Sequence, residues 1–236
     1  MSTSLPPDPN LPDPNLPDPP DQSHLPDPSD LPDPPDLPSP PSRPRRADAR
    51  RNYDRLITAA ERAFAKDGPG ASLDGIAKAA GVGPGTLYRN FPTRRALLDA
   101  VYHERIAALC HTGRVLITEN PPDKALSLWL QRVVAHTMDY QGLKDVLMAD
   151  PDDDGRPADF SWCAAQMRAT SGLLLERAQA EGTVSADVHS VDLLRLVHGV
   201  VLSTGHLPAS DRAATSDRLL NLVLNGIRTQ RLRPGS

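Results

Sequence analysis

The spacing of apolar residues after position 43 constrains the fold more than any other feature of the sequence. Apolar residues recur there at intervals of three and four, the period of an amphipathic helix. Alternation of apolar and polar residues, which is typical of strands, is hard to find over four or more positions. The sequence therefore predicts an all-α body. The predicted helices cover about 48–66, 73–80, 84–90, 94–112, 122–140, 143–149, 157–181, 190–206 and 211–231.

Residues 1 to about 44 have a different composition. The stretch "LPDPNLPDPP" recurs imperfectly as "LPDPSD", "LPDPPD" and "LPSPPS". Proline removes backbone donors and excludes both helix and sheet, so we expect a disordered, extended arm that is partly polyproline II. The arm could be an extension without a specific task or a ligand for a partner protein. It could also be an acidic segment that competes with nucleic acid for basic residues behind it.

Charge is distributed unevenly along the chain. Residues 1–42 contain eight acidic residues and no lysine or arginine, whereas the whole chain has a net charge of −4. Residues 43–105 contain 13 basic and 7 acidic residues. Because the basic charge is concentrated in one segment, that segment is expected to bind a polyanion.

The sequence also bears on the compartment. No apolar run approaches the roughly 20 residues of a membrane helix, and the N-terminus lacks the basic and apolar regions of a secretory signal. We therefore expect a cytoplasmic protein that does not enter a membrane. Cys110 and Cys163 are the only cysteines, and in a reducing compartment they are expected to be small buried apolar residues.

The stretch "GVGPGTLYRNFP", residues 81–92, joins two predicted helices. A phosphate-binding loop would require a preceding strand and a fuller glycine pattern. Instead, Gly81 to Gly83 can end one helix and Pro84 can begin another, which is typical of a helix-turn-helix. The second helix would bring its positive N-terminal end to a major groove. The alternative is an ordinary tight corner between two helices, with solvated arginines around it.

Residues 55–101, "RLITAAERAFAKDGPGASLDGIAKAAGVGPGTLYRNFPTRRALLDAV", resemble the DNA-binding domain of the tetracycline-repressor (TetR) family. That pattern couples a first helix to AxxAGV, then TLYxxF, then a basic residue and Leu-Leu. The resemblance implies a three-helix helix-turn-helix domain over 48–108 and a helical effector-binding and dimerisation domain over 113–236. It further implies a homodimeric repressor that a small molecule releases from a palindromic operator in double-stranded DNA. The alternative is an effector-independent architectural or partner-recruiting DNA-binding protein.

The resemblance also implies roles for single residues. Thr86 and Tyr88 would contact phosphates, and Arg94 would anchor the next helix to the DNA backbone. The residues nearest to base edges would be Pro84, Gly85 and Arg89. The full set of expected DNA-binding residues is Arg45, Arg46, Ser72, Pro84, Gly85, Thr86, Tyr88, Arg89, Asn90, Arg94 and Arg95.

Two positions depart from the family pattern. Gly83 stands where serine or threonine is usual, so the N-cap that a hydroxyl would supply is lost, at a cost of a few tenths to about 1 kcal/mol. Asn90 stands where histidine is frequent, although its amide can still bond to phosphate or to adenine.

The last two predicted helices, about 190–206 and 211–231, are apolar almost all round. Such helices must be buried on more than one side, either at the centre of the second domain or against a second copy of the chain. Large or polar-tipped residues on other helices of this domain could line an effector pocket or belong to its plain core. These residues are Trp129, His136, Met138, Trp162 and Met167.

The sequence gives no indication of catalysis or of a cofactor. The acidic stretch "DPDDDGRPAD", residues 150–159, lacks the calcium-loop pattern and is expected to be a solvated loop. A nucleophile elbow and a zinc-ligand cluster are also absent from the sequence. We therefore expect a regulator that is not an enzyme and that binds no metal.

Overall fold

A computed structural model describes residues 43–44, 46–149 and 160–229. This part of the chain contains helices and one isolated antiparallel bridge, Val184 to Arg228, which confirms the predicted all-α body. The predicted loop at 150–159 and all of the predicted arm except residues 43–44 lie outside the described residues. The helices are α1 (Ala47–Asp67), α2 (Leu73–Ala79), α3 (Pro84–Asn90), α4 (Arg94–Glu119), α5 (Pro122–Ala149), α6 (Ser161–Ala180), α7 (Ser190–Thr204) and α8 (Ala209–Ile227).

Two of these helices have a short polar residue at the N-cap position. The Ser72 hydroxyl accepts a hydrogen bond from the backbone N–H of Gly75 at 3.2 Å and caps α2. The Thr93 hydroxyl accepts one from Ala96 at 3.1 Å and caps α4. Each bond satisfies a backbone donor that the first helical turn leaves without a partner. Both helices therefore begin at a side-chain cap.

The first hydrophobic core joins α1, α2, α3 and the beginning of α4. Leu56 and Ile76 are almost completely buried in it, and the rings of Tyr53 and Phe91 pack 5.2 Å apart between centroids. Each helix contributes one apolar face, as the three- and four-residue spacing predicts. The three short helices and the start of α4 thus form one packed unit.

The second core joins the rest of α4 to the later helices. At its centre the Trp129 side chain of α5 is fully buried, and its indole N–H donates to the Ser171 hydroxyl of α6 at 3.1 Å. Cys110 and Cys163 are buried in this core, as predicted. The ring of Tyr102 packs against both cores, so α4 links them without a break.

Several predicted helix boundaries are wrong, and the two largest differences are in α4 and α5. The sequence predicts that the fourth helix ends near residue 112, but α4 continues to Glu119, since the first breaker is Asn120-Pro121. It also predicts separate helices over 122–140 and 143–149, whereas α5 is continuous to Ala149. Gly142 lies inside α5, and a single interior glycine costs a helix only about 1 kcal/mol, so tertiary packing can carry a helix through it.

The last two helices leave part of their apolar surface exposed. Leu193 and Val197 of α7 and Leu220 of α8 are buried in the second core. Leu202 and Leu222 remain 59% and 68% exposed. The two helices therefore carry apolar side chains on more than the face that the single chain buries. No helix in the described part of the chain has the length and apolarity needed to span a membrane.

Candidate functional site

The turn between α2 and α3 fixes the direction of the short helix α3. Gly81 has a φ of +67°, the left-handed conformation that suits glycine and ends α2. The next backbone N–H, of Val82, donates to the carbonyl of Ala77 at 3.0 Å. Leu87 of α3 is 1% exposed and holds the helix against the first core. The predicted arrangement of two helices joined by a tight turn is confirmed.

The outer face of α3 combines small residues with polar ones. Pro84 and Gly85 are exposed at its beginning. Tyr88 is 47% exposed, although it is aromatic, and Arg89 is exposed beside it. The Arg89 guanidinium donates to the hydroxyl of half-buried Thr86 at 3.3 Å. The beginning of α3 therefore lacks bulky side chains. Beside it, Tyr88 and Arg89 can donate hydrogen bonds to anions or to base edges.

Three further predicted contact residues use their polar groups within the protein. The Asn90 amide donates to the carbonyl of Thr86, one turn earlier, at 2.8 Å, and the Ser72 hydroxyl is engaged as the cap of α2. The guanidinium of Arg94 donates to the carbonyls of Pro69 and Ala71. Arg94 therefore fastens α4 to the α1–α2 loop of its own chain.

The remaining arginines flank α3 in sequence. Arg46 is exposed directly before α1, whereas Arg45 lies outside the described residues. Arg95 is half-buried, and no residue in the described part of the chain bonds to its buried Nη1 atom. Arg43 pairs with Glu104 on α4 through two of its nitrogen atoms, with 2.7 Å between Nε and Oε1.

Gly83 occupies the N-cap position of α3 and supplies no side-chain bond. Its φ of −72° is open to any residue, and a Cβ atom built there would meet nothing within 4 Å. A serine would therefore fit at this position, so the missing hydroxyl is a property of the sequence and not a requirement of the fold.

A cavity of about 180 Å³ lies among α4, α5, α6 and α7. Two of the predicted pocket residues, His136 and Met167, line it. A shallower cleft of about 370 Å³ shares Met167, Leu194 and His198 with the cavity. Arg168 and Arg195 lie in that cleft. The complete lining of the cavity is Tyr102, Val133, His136, Thr137, Tyr140, Met167, Leu194, Val197 and His198.

His136 lines this cavity. Its Nε2 atom is buried, and no residue in the described part of the chain bonds to it. Burial, together with the charge of Arg105, lowers the pKa of His136 to about 4. The imidazole is therefore neutral at pH 7 and can offer a hydrogen bond without a charge.

The other three predicted pocket residues do not line this cavity. The Trp129 indole is fully buried and bonded to Ser171. Trp162 packs against the ring of His103, with 5.6 Å between centroids. Met138 packs against the second core. Large apolar residues are the usual filling of the interior of a helical domain. Residue type alone therefore cannot distinguish a residue that lines a cavity from one that is packed in the core.

A row of contacts leads from the cavity to α1. The ring of His136 stacks on that of Tyr140, with 5.0 Å between centroids and 24° between planes. The Arg105 guanidinium carbon lies 5.2 Å from the centre of the Tyr140 ring, and Arg105 Nε lies 3.0 Å from an oxygen of Glu61 on α1. Three side chains therefore connect the cavity-lining imidazole to α1.

Sequence reasoning missed Tyr140 and Thr137, although a usable signal was present. Val133, His136, Thr137 and Tyr140 are spaced by three, four and seven residues along α5, which places them on one helical face. Three of the four side chains on that face carry a polar group. The contribution of Leu194 and Val197 from α7 could not be predicted, because it depends on how distant helices pack.

Two sequence profiles match the chain. Residues 56–101 match the family described as bacterial regulatory proteins of the tetR family. Residues 121–229 match the C-terminal domain of SbtR-like transcriptional regulators. A comparison with curated proteins gave no match.

Solved structures of similar proteins cover most of the chain. A TetR transcriptional regulator from Streptomyces coelicolor is 36% identical, with a TM-score of 0.64, over 75% of this chain and 98% of its own. A TetR regulatory protein from Mycobacterium vanbaalenii is 33% identical, with a TM-score of 0.62, over 79% of this chain and 100% of its own.

Proposed function

Because this chain belongs to the TetR family of transcriptional regulators, we propose that it represses transcription from a palindromic operator that it binds as a homodimer. A small molecule that enters the cavity among α4–α7 releases it from DNA. The observation that carries the DNA-binding part is the outer face of α3, where Pro84 and Gly85 lie exposed beside Tyr88 and Arg89. The regulator acts in the cytoplasm, has no enzymatic activity and needs no cofactor.

In this proposal α3 lies in the major groove. Arg89 reads a base edge, since a guanidinium can donate two parallel bonds to guanine. Tyr88 and Thr86 bond to phosphates and fix the register of the helix. Arg45, Arg46 and Arg95 add charge that attracts phosphates. The internal bonds of Ser72, Asn90 and Arg94 support a positioning role for these three residues.

The dimer forms through α7 and α8. Leu196 and Leu202 on α7 and Leu222 on α8 are large apolar side chains that the single chain leaves at least 45% exposed. Burial of such residues against a second copy would stabilise the dimer by roughly 25 cal/mol per Å² of apolar surface. Two α3 helices in a symmetric dimer would meet two half-sites of inverted orientation.

The cavity favours release by an effector over the architectural alternative. A buried imidazole nitrogen without a protein partner is costly, and a ligand could satisfy it with a neutral donor or acceptor. The contacts from His136 through Tyr140 and Arg105 to Glu61 connect that ligand to α1. We therefore propose that residues 48–108 form the DNA-binding domain and residues 113–236 the effector-binding and dimerisation domain. Helix α4 contributes to both.

Selection of bound DNA from a random pool tests the DNA-binding part of this proposal. The expected product is an inverted repeat whose half-sites are about one helical turn apart, roughly 34 Å. Arg89→Ala should relax the preference at one position in each half-site, whereas Arg168→Ala, an exposed arginine on α6, should select the same sequence as the unaltered protein. Recovery of DNA without a common motif would favour the architectural protein.

A screen of small molecules against the operator complex tests the effector part. Compounds that lower operator affinity should also raise the melting temperature of the free protein. Filling the cavity with His136→Trp should abolish both effects in a variant that still binds the operator. An effector that acts equally on this variant would place the ligand elsewhere.

A further inference from the structure

A second cleft, of about 480 Å³, lies between α1 and the end of α2. Its apolar surface consists of small residues. Ala59 and Ala80 are 9% and 6% exposed, and Ala63 is half-buried. Since these side chains are short, they leave room above them for apolar side chains of a bound segment.

The rim of this cleft is basic. Arg55, Arg62 and Lys66 of α1 line it and are exposed, with Asp54 as the one acidic residue of the lining. At 1.5 Å per residue, Arg55 and Arg62 are about 10 Å apart along the helix, and Lys66 lies about 6 Å further on. A Cβ atom added to Gly81 would lie 3.7 Å from Arg55 Nη1, so this rim reaches the turn that directs α3.

The acidic residues of the N-terminal arm follow a period of three. Asp27, Asp30, Asp33 and Asp36 follow one another at intervals of three residues, and Asp18 and Asp21 fall in the same register. Polyproline II has three residues per turn and a rise of about 3.1 Å per residue. In that conformation the aspartates would lie on one face, about 9 Å apart, close to the separation of Arg55 and Arg62.

The leucines of the arm follow the same period on a second face. Leu25, Leu31 and Leu37 are six residues apart and each comes one position after the aspartate register. A polyproline II segment over 25–37 would therefore present adjacent acidic and apolar faces. The cleft presents the complementary pair, a basic rim beside an apolar floor.

We propose that residues 25–37 of the arm dock in the α1–α2 cleft of their own chain. The aspartates pair with Arg55, Arg62 and Lys66, and a leucine packs on the alanine floor. Arg43 is held to Glu104, which fixes where the arm leaves the folded part. Asp36 precedes Arg43 by seven residues, which reach about 22 Å when extended, whereas Arg55 lies about 12 Å along α1 from Ala47.

The strength of this contact follows from its charges and its tether. Exposed ion pairs are individually weak and are screened by salt. A short tether gives the arm an effective concentration in the millimolar range, so weak pairs suffice to dock it. The docked arm would place carboxylates beside the turn before α3, and it would leave the cleft as the salt concentration rises.

Zero-length cross-linking of the full chain with a carbodiimide tests the proposal, because this reagent joins a carboxylate directly to an amine. Lys66 lies in the cleft, and Lys78 is an exposed lysine on α2 outside the lining. We expect arm aspartates to cross-link to Lys66 at least five times more than to Lys78, and 0.5 M salt to remove the difference. Equal or undetectable cross-linking at the two lysines would overturn the proposal.

Variants separate specific docking from general attraction. Arg62→Glu should lower cross-linking at Lys66 at least threefold, whereas Arg168→Glu on α6 should not change it. An arm with the same composition but with its aspartates shifted out of the three-residue period should also lose the cross-link, and equal yield from it would contradict the register argument. In a mixture of isotopically light and heavy chains, cross-links between different chains would contradict docking within one chain.

Discussion

Glu61 on α1 and Arg105 on α4 form an ion pair, with 3.0 Å between Oε1 and Nε, and the Arg105 guanidinium also lies over the Tyr140 ring. Burial raises the pKa of Glu61, and the charge of Arg105 counteracts that effect. Arg105→Gln should therefore cost more free energy of unfolding than Glu61→Gln, since it leaves a half-buried carboxylate without its partner. The pair itself, partly exposed, should contribute about 1 kcal/mol or less.

Urea denaturation of both single variants and the double variant measures these quantities as a double-mutant cycle. The exposed pair Asp48–Arg51 on α1 supplies a control cycle, for which a smaller coupling is expected. A cost for Glu61→Gln that equals or exceeds that of Arg105→Gln would contradict the assignment of Arg105 as the compensating charge.

Gly113 of α4 lies against Trp129 and Thr170. A Cβ atom added at Gly113 would come 2.5 Å from Thr170 Cγ2 and 2.8 Å from Trp129 Cε3, so the helices would have to separate. Gly113→Ala should destabilise the protein by about 1–3 kcal/mol. Gly142→Ala, where nothing lies within 4 Å, should be neutral or stabilising by up to about 1 kcal/mol. Thermal or urea unfolding of both variants decides whether this close approach exists.

His136 should make stability depend on pH. Its pKa is about 4 in the folded protein against an ordinary value of 6.5, so between these values the unfolded chain binds a proton that the folded chain does not. The free energy of unfolding should therefore rise with pH across this window, by at most about 1.4 kcal/mol per unit, with no further contribution above it.

Comparison of the native protein with His136→Gln isolates this effect from the carboxylates. The difference in unfolding free energy between the two should change by about 1–2 kcal/mol between pH 5 and pH 7, with the variant relatively more stable at the lower pH. Between pH 7 and pH 8 the difference should stay constant. A constant difference over the whole range would show that His136 is protonated as easily in the folded state as in the unfolded state.

Gly83→Ser should stabilise α3. A serine there can accept a bond from the backbone N–H of Thr86, three residues later, as Ser72 does from Gly75. The expected gain over glycine is a few tenths of a kcal/mol, and Gly83→Ala, which has no hydroxyl, should be less stable than Gly83→Ser by about 0.5–2 kcal/mol. Equal stability of the serine and alanine variants would show that no cap forms.

Substitution of Arg89 and substitution of Arg94 by alanine should have different effects on stability and on operator binding. Arg89 is exposed and bonds only weakly to Thr86, so Arg89→Ala should leave stability unchanged but weaken operator binding by about 1–3 kcal/mol. Arg94→Ala breaks bonds to the carbonyls of Pro69 and Ala71 and should cost about 1–3 kcal/mol of stability. Loss of operator affinity in Arg94→Ala without loss of stability would instead support direct contact with DNA.

Local chemistry made the helix-turn-helix predictable from sequence. Gly81 ends a helix because few other residues adopt its φ, and Pro84 begins one because its missing N–H costs nothing there. Both signals are confined to neighbouring residues. By contrast, the predicted break between 140 and 143 is wrong, because a single glycine such as Gly142 does not by itself end a helix.

The polar groups were harder to predict than the helices. An asparagine on a short helix can bond outward or to its own backbone, and only the geometry shows that Asn90 bonds to Thr86. Similarly, His136 and Trp129 were equivalent candidates by residue type. They differ because the indole N–H of Trp129 donates to Ser171, whereas the His136 ring lines a cavity.

The continuity of α4 has a consequence for how the protein unfolds. Leu97 and Val101 of this helix belong to the first core, and Ile106 and Ile117 belong to the second. If either core unfolded, one half of α4 would lose its packing contacts. The other half of the same helix belongs to the other core, which would lose stability in turn. The two halves should therefore lose their structure in one cooperative transition, and a fragment cut inside α4 should be prone to aggregation, because its severed helix would expose apolar residues to water.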